Sequence, residues 1–362
     1  MTVRTIGDIP DKILDHLRKG MVIPASPLAL HEDRSFDREH QCALMRYYTA
    51  AGAGGIAVGV HSTQFEIREP RYNLFKPVLA ECSKFIDSAP GGGDILKIAG
   101  VCGKTSQAVQ EAEYARDTGY HAGLLSLSAF SEAPDDEMIE HCRRIADIFP
   151  IFGFYLQPAV GGRILSRNFW NRFARIGNVL GVKAAPFNRY YTLEVMQGIA
   201  SADPEGRIAL YTGNDDNILV DLLTRFPVKT EGSADVRGFA GGLLGHWSVW
   251  TKRAVELIDL VHRIRGGSEE NIQEILTLAA AVTDSNMAFF DAPNSYAGVL
   301  PGIHEVLRRQ GLMKGIWCLN PDETLSTGQK EEIDRVYAAY PYLNDDDFVA
   351  RNLNVWLTNI PK

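Results

Sequence analysis

Two reactive side chains end short apolar segments of this 362-residue chain. Lys183 ends the segment 178–183, and Tyr155 ends the segment 151–155. Apolar surroundings disfavour the charged form of a lysine and free its amine to attack a carbonyl carbon and form a Schiff base. A phenol nearby can move the protons that this chemistry requires. Two alternatives stay open: Lys183 reaches solvent or pairs with an acid such as Asp215, and Tyr155 is a core residue with a tethered hydroxyl.

The spacing of the pair is more informative than either member. Lys183 and Tyr155 are 28 residues apart (183 − 155), which is one helical crossover between consecutive strands. We therefore expect both side chains to reach the same cavity, where Lys183 could form the Schiff base and Tyr155 could assist the loss of water. The resulting iminium would accept electrons for carbon–carbon cleavage, condensation or dehydration. This chemistry requires no metal and no diffusible cofactor.

The elements that position this pair follow a repeated pattern of short apolar runs and longer segments of helical period. Eight such runs predict buried parallel strands and a (β/α)₈ TIM barrel, since the glycine fingerprint of a doubly wound dinucleotide fold is absent. The predicted strands are 22–25, 56–60, 95–101, 122–127, 151–156, 179–183, 208–212 and 238–243. We expect the barrel, with an N-terminal helical lead-in, to span 1–265, and a C-terminal helical region to span 266–362.

Helical periodicity fills most of the remaining chain. The predicted helices are 37–51, 104–118, 135–148, 166–176, 190–201, 215–226, 248–264, 268–288, 294–312 and 326–340. The segment 66–94 is longer than a crossover requires and is predicted to be an enlarged connection between the second and third strands.

Two motifs resemble the dihydrodipicolinate synthase and N-acetylneuraminate lyase family of class I aldolases. IFGFYLQPAVGGR at 151–163 is similar to its tyrosine motif, usually Y-N-x-P, and NVLGVKAA at 178–185 is similar to its lysine motif, G-x-K-[ED]. The resemblance implies the same barrel, catalytic roles for Lys183 and Tyr155, and a homodimer or homotetramer. It also implies that Gly213, after the seventh strand, and Gly241, at the eighth, contribute to substrate binding.

The loop after the second strand departs from that family. A G-T-T-G-E loop normally binds the carboxylate of a 2-oxo acid, whereas this chain reads VHSTQF at 60–65. Ser62 and Thr63 retain a hydroxyl pair that could accept a carboxylate. His61 is either a base that relays protons or a hydrogen-bonded residue at the rim. The arginine expected after the tyrosine is replaced by Val160, so a strict dihydrodipicolinate synthase is not expected.

Composition limits the other function classes. The net charge is −8 without long blocks of one sign, which argues against nucleic acid, and the five cysteines lack metal-binding spacing. The chain shows no apolar leader and no membrane-length segment, so a cytoplasmic protein without membrane partners is expected. Besides the aldolase or synthase, two functions remain open: a sugar-acid dehydratase on the same scaffold, and a non-catalytic barrel that binds a carbonyl or carboxylate ligand.

Overall fold

The eight barrel strands lie in one parallel sheet. The structure is a computed structural model that describes residues 3–230 and 233–361. The strands of this sheet are β1 Val22–Pro24, β2 Gly55–Val58, β3 Leu96–Val101, β4 Ala122–Leu125, β5 Ile151–Leu156, β6 Val179–Ala185, β7 Ala209–Thr212 and β10 Gly241–Leu244. Their order in the sheet is β1-β10-β7-β6-β5-β4-β3-β2, and the strands β8 Phe226–Thr230 and β9 Ser233–Arg237 form a separate two-stranded sheet.

The first and second strands, at the two ends of this order, also meet each other. A parallel bridge joins Ala25 to Ala57, and the Ser26 N–H donates to the Ala57 carbonyl at 2.8 Å. The Gly54 N–H donates to the Val22 carbonyl at 3.0 Å. These contacts join the ends of the sheet, and the predicted (β/α)₈ barrel is confirmed. The strands are almost uniformly buried because helices cover their outer face.

Helices follow most of the strands, as the periodicity predicts. In chain order they are α1 Asp11–Lys19, α2 Arg38–Ala51, α3 Phe75–Ser88, α4 Thr105–Asp117, α5 Asp135–Ala146, α6 Arg167–Ala174, α7 Arg189–Ala202, α8 Ile218–Leu223, α9 Thr251–Arg265, α10 Ile272–Phe290, α11 Val299–Arg309, α12 Gln329–Ala339 and α13 Asp346–Trp356.

Contacts within the chain group it into two compact units. The first unit contains Met1–Met21, Leu96–Asn214 and Val220–Leu243. Its core includes aromatic side chains of α6, where the Trp170 and Phe173 rings lie 5.6 Å apart. Arg4 and Asn178 hold the N-terminal segment: the Asn178 amide donates to the Arg4 carbonyl at 3.0 Å and to the Ala146 carbonyl at 2.8 Å.

The second unit contains Val22–Ile95, Asp215–Leu219 and Leu244–Lys362. Its C-terminal helices are tied to α2 by buried polar contacts. The Tyr47 hydroxyl donates to Asp345 Oδ2 at 2.7 Å and accepts from the Thr251 N–H at 2.7 Å. The Arg46 guanidinium donates to the carbonyl of Trp356, at the end of α13, at 2.8 Å. These bonds link α2 to elements that lie 204 to 310 residues away in sequence.

The structure differs from the sequence prediction at four places, and the first is helix α3 Phe75–Ser88, since no helix was predicted within 66–94. An antiparallel hairpin, β8 Phe226–Thr230 and β9 Ser233–Arg237, precedes the last barrel strand. The helix predicted to reach residue 226 ends at Leu223, because Pro227 cannot continue a helix and the β-branched residues after it favour a strand. Helix α13 was also not predicted. After Arg265 the described chain, as far as residue 361, contains helices and no strand; the domain boundary itself stays a prediction.

Among the described residues, no helix combines the length and apolar character that crossing a membrane requires.

Candidate active site

Lys183 lies near the end of β6 with only 8% of its surface exposed. Its partners on the neighbouring strands are Phe154 of β5 and Tyr211 of β7. Residues paired in parallel strands project from the same face of the sheet. The Lys183 Nζ accordingly lies 4.6 Å from the centroid of the Phe154 ring. The amine therefore sits against an aromatic wall in a largely dry environment.

Gly213, just after β7, provides the space for the lysine side chain. A Cβ atom added at Gly213 would lie 2.6 Å from Lys183 Cε, 2.9 Å from Lys183 Cγ and 2.7 Å from Ala185 Cβ. The Gly213 N–H donates to the Ala184 carbonyl at 2.7 Å, which holds the glycine against β6. The predicted site residue Gly213 thus contacts Lys183, and its lack of a side chain is what permits that contact.

A buried polar network supports the loops on both sides of this lysine. The Phe187 N–H, in the loop after β6, donates to Asn214 Oδ1 at 3.0 Å. The Asn214 amide donates to Asp221 Oδ2 at 2.8 Å, and the Thr212 hydroxyl donates to the same oxygen at 2.6 Å. Arg189 pairs with the other oxygen of Asp221. Sequence reasoning missed Asp221, whose only signal is a carboxylate in an otherwise apolar helix.

Tyr155 is fully buried and pairs with Ala184 across β5 and β6. Its ring lies 5.6 Å from Trp170 of α6 and 6.3 Å from Tyr191 of α7. Its hydroxyl accepts a hydrogen bond from the Leu165 N–H at 3.2 Å. Burial raises the pKa of the Tyr155 phenol, and the hydrogen bond from Leu165 offsets part of that effect.

The two predicted catalytic residues thus lie on adjacent strands but one position out of register. Because successive side chains alternate between the faces of a strand, Lys183 and Tyr155 project from opposite faces of the sheet. Phe154, which the sequence prediction did not select, occupies the position beside the amine. The alternation of side chains along β5 identifies Phe154 as the neighbour of Lys183 once the register between β5 and β6 is known.

The loop after β2, in the second unit, forms a short helix over His61–Thr63. The Thr63 hydroxyl donates to the Ser26 carbonyl at 2.7 Å and accepts from the Gly59 N–H at 2.9 Å. Ser62 is buried, and the partly exposed His61 ring lies 5.9 Å from the Phe65 ring. Of the predicted hydroxyl pair, Thr63 has its hydroxyl bonded to the backbone, and binding of a carboxylate by Ser62 stays a prediction.

Gln64 follows this loop in a left-handed conformation with φ of 67°. Its buried side chain accepts a hydrogen bond from the Leu319 N–H at 2.6 Å. The Tyr72 hydroxyl donates to the Leu319 carbonyl at 2.6 Å. Both backbone groups of Leu319 are therefore held by side chains from the chain after β2, which anchors the segment between α11 and α12.

Two other residues named from the sequence, Gly241 and Asp215, have packing or hydrogen-bond contacts. A Cβ atom at Gly241 would lie 2.4 Å from the Met21 carbonyl oxygen and 2.8 Å from Tyr211 Cε1, so this glycine permits close backbone packing. Asp215 accepts a hydrogen bond from the His246 N–H at 2.8 Å.

One group in the described part of the chain has metal-ligand geometry: Asp37, Glu39 and His40 in the second unit. The Lys314 Nζ lies 3.1 Å from Asp37 Oδ2, and His40 Nδ1 lies 3.1 Å from the same oxygen. These partners hold the pKa of Asp37 well below its usual range although burial opposes this. A lysine ammonium already neutralises the carboxylate that a metal would need.

Comparison with known proteins identifies the family. The model of the dihydrodipicolinate synthetase family matches residues 20–225. The chain is 28% identical over 143 residues to a 4-hydroxy-tetrahydrodipicolinate synthase of Acaryochloris marina, covering 39% of this chain and 45% of that relative. It is 24% identical over 240 residues to the corresponding enzyme of Symbiobacterium thermophilum, covering 63% of this chain and 71% of that relative. The chain thus spans less than half of the first relative.

Solved structures show the same fold at low identity. Dihydrodipicolinate synthase from Oceanobacillus iheyensis has a TM-score of 0.72 at 14% identity, covering 91% of this chain and 99% of that one. N-acetylneuraminate lyase from Fusobacterium nucleatum has a TM-score of 0.68 at 16% identity, covering 90% and 99%. The family model matches more than half of the chain, and the chain therefore belongs to the dihydrodipicolinate synthetase family, whose matched members carry the names of synthases and lyases.

Proposed function

We propose that this protein is a Schiff-base-forming lyase of the aldolase or synthase type that acts on a 2-oxo acid or related carbonyl compound through Lys183. The observation that carries the proposal is the placement of Lys183: a buried amine near the carboxyl end of a barrel strand, where enzymes of this fold hold their reactive groups. The missing side chain of Gly213 leaves room for the Lys183 side chain at that end of the strand.

The proposed reaction uses the neutral amine as a nucleophile. Nζ adds to the carbonyl carbon, and the carbinolamine loses its hydroxyl as water after that oxygen receives a proton. The protonated imine that remains withdraws the electron pair of the bond that breaks, or supplies an enamine for condensation after losing a proton. Water then adds to the imine carbon, and release of the product returns the amine to Lys183. The sequence predicts Tyr155 as the group that transfers this proton, although Tyr155 projects from the opposite face of the sheet from Lys183.

The proposed substrate class follows from the relatives and from the loop after β2. One solved relative, a dihydrodipicolinate synthase from Acinetobacter baumannii, is described in complex with pyruvate. Ser62 is the proposed hydroxyl donor to a substrate carboxylate, with His61 as a further candidate. Thr63, also predicted from the sequence, already donates its N–H to the Val60 carbonyl and its hydroxyl to the Ser26 carbonyl. The homodimer or homotetramer and the cytoplasmic location are part of the same proposal, and the former is measured by light scattering at several protein concentrations.

Borohydride trapping tests the proposal directly. The protein is incubated with pyruvate, 2-oxobutyrate and 2-oxoglutarate in turn, reduced with sodium borohydride and mapped by mass spectrometry. The expected adduct lies on the peptide containing Lys183, and Lys183→Met abolishes it without loss of the circular dichroism spectrum. Lys97 of β3, which is also buried, is an internal control and stays unmodified. A folded protein that forms no Lys183 adduct with any of the three acids contradicts the proposal and supports a non-catalytic binding barrel.

A further inference from the structure

Residues 152–155 of β5 project alternately from the two faces of the sheet. On one face, the Phe152 ring lies 5.7 Å from the Tyr211 ring, and Phe154 lies against the Lys183 Nζ. On the other face, a Cβ atom at Gly153 would lie 2.7 Å from Phe173 Cζ of α6. Four successive positions therefore alternate without interruption, and Tyr155 belongs to the face that packs on the helices.

The Tyr155 hydroxyl has a structural partner on that face. It accepts the Leu165 N–H at 3.2 Å, at a leucine that is 3% exposed and ends the loop between β5 and α6. The same loop is anchored a second time by Arg163, whose Nη1 donates to the carbonyls of Phe130 at 3.0 Å and Ala133 at 2.6 Å. Between β5 and these anchors the loop turns sharply.

Two glycines make that turn possible. Gly161 has φ of 90°, and a Cβ atom at Gly162 would lie 1.9 Å from the Leu156 carbonyl oxygen. A loop that depends on glycine has little conformational preference of its own, so its position is set by the bonds at its ends. Loss of the acceptor at Tyr155 would leave the buried Leu165 N–H without its partner and loosen one end.

We propose that Tyr155 is a positioning residue that holds the β5–α6 loop, and that Phe154 is the β5 residue that contacts the amine of Lys183 and stabilises the cationic imine formed on it. The face of an aromatic ring attracts a cation, and this attraction is strongest where water is excluded. The inference rests on the proposed function for the imine, but the position of Tyr155 is testable without it.

Amide hydrogen exchange tests the positioning role in the free protein. In Tyr155→Phe, the Leu165 amide is expected to exchange about fivefold faster than in the wild type, in line with the loss of one buried hydrogen bond. Tyr191→Phe is the matched control, because it removes a hydroxyl from the neighbouring ring and leaves the Leu165 bond intact. Unchanged Leu165 exchange in Tyr155→Phe overturns the inference.

Exchange of the pyruvate methyl protons in deuterium oxide, followed by proton NMR across a pH series, tests the chemical roles. Tyr155→Phe is expected to keep the shape of the wild-type pH profile and to lose less than about tenfold in rate. Phe154→Leu is expected to slow trapping and exchange by about five- to thirtyfold. A loss of about 10²-fold or more in Tyr155→Phe, with one limb of the pH profile missing, identifies Tyr155 as the proton carrier and refutes the inference.

Failure of the inference and failure of the proposed function give different results. A wild-type protein that forms no Lys183 adduct refutes the proposed function and with it the role of Phe154 on the imine. Leu165 exchange still decides whether Tyr155 holds the loop. A wild-type adduct together with an unchanged rate in Phe154→Leu refutes only the assignment of Phe154.

Discussion

Gly213→Ala is the substitution that tests the geometry around Lys183 most directly. The added methyl would lie 2.6 Å from Lys183 Cε and 2.7 Å from Ala185 Cβ. Carbon atoms in good contact are about 3.5–4.0 Å apart, so the lysine side chain or the strand must move by about 1 Å. The backbone of Gly213 does not require a left-handed conformation, and the effect is therefore steric rather than conformational.

The expected cost has two parts. Overpacking of this kind destabilises a protein by about 1–3 kcal/mol, because neither the strand backbone nor Ala185 can move away freely. Displacement of a reacting group by about 1 Å costs on the order of 10²-fold in rate. We therefore expect Gly213→Ala to lower the free energy of unfolding by about 1–3 kcal/mol and to slow formation of the trapped pyruvate adduct by about 10²-fold.

Urea denaturation and the initial rate of borohydride trapping measure these two effects. Gly177→Ala is the matched control, because it is the same substitution in the loop before β6 and no heavy atom lies within 4 Å of the added Cβ. It should change the free energy of unfolding by less than about 0.5 kcal/mol and leave trapping unchanged. If Gly213→Ala behaves like this control in both assays, the close contact between Gly213 and Lys183 does not exist.

Two further predictions concern the second unit. Gln64→Ala should destabilise the protein by about 1 kcal/mol more than Gln64→Gly. Both variants lose the hydrogen bond to Leu319, but only alanine has a Cβ atom that is strained at the positive φ of this position. Equal midpoints in urea denaturation of the two variants would contradict this. Burial lowers the pKa of His246 from 6.5 to about 4, so the folded state resists protonation, and the associated stability is complete above pH 6.5 and is lost as the pH falls toward 4. Between pH 7 and pH 4, His246→Gln should therefore lose about 3 kcal/mol less unfolding free energy than the wild type. Unfolding free energies measured at the two pH values test this. An unchanged pH dependence would show that His246 is not protonated on unfolding.

The order of strands and helices was predictable because it depends on local patterns. Uniformly apolar runs such as 151–156 and 179–183 indicate strands covered on both faces, and both begin where the prediction places them. The hairpin Phe226–Arg237 was not predicted, since its alternation is short and it pairs only with itself. Helix α13 was not predicted either, and it is anchored by contacts to Arg46, which is distant in sequence.

The sequence by itself determined that Lys183 and Tyr155 lie near the ends of consecutive strands, because one crossover of 28 residues separates them. It could not determine which way each side chain points. That depends on the register between β5 and β6, which shifts by one residue between Ile151 and Phe152. Since side chains alternate with a period of two, a shift of one residue exchanges the two faces. Tertiary structure alone therefore decided that Phe154 faces the amine and that Tyr155 faces the helices.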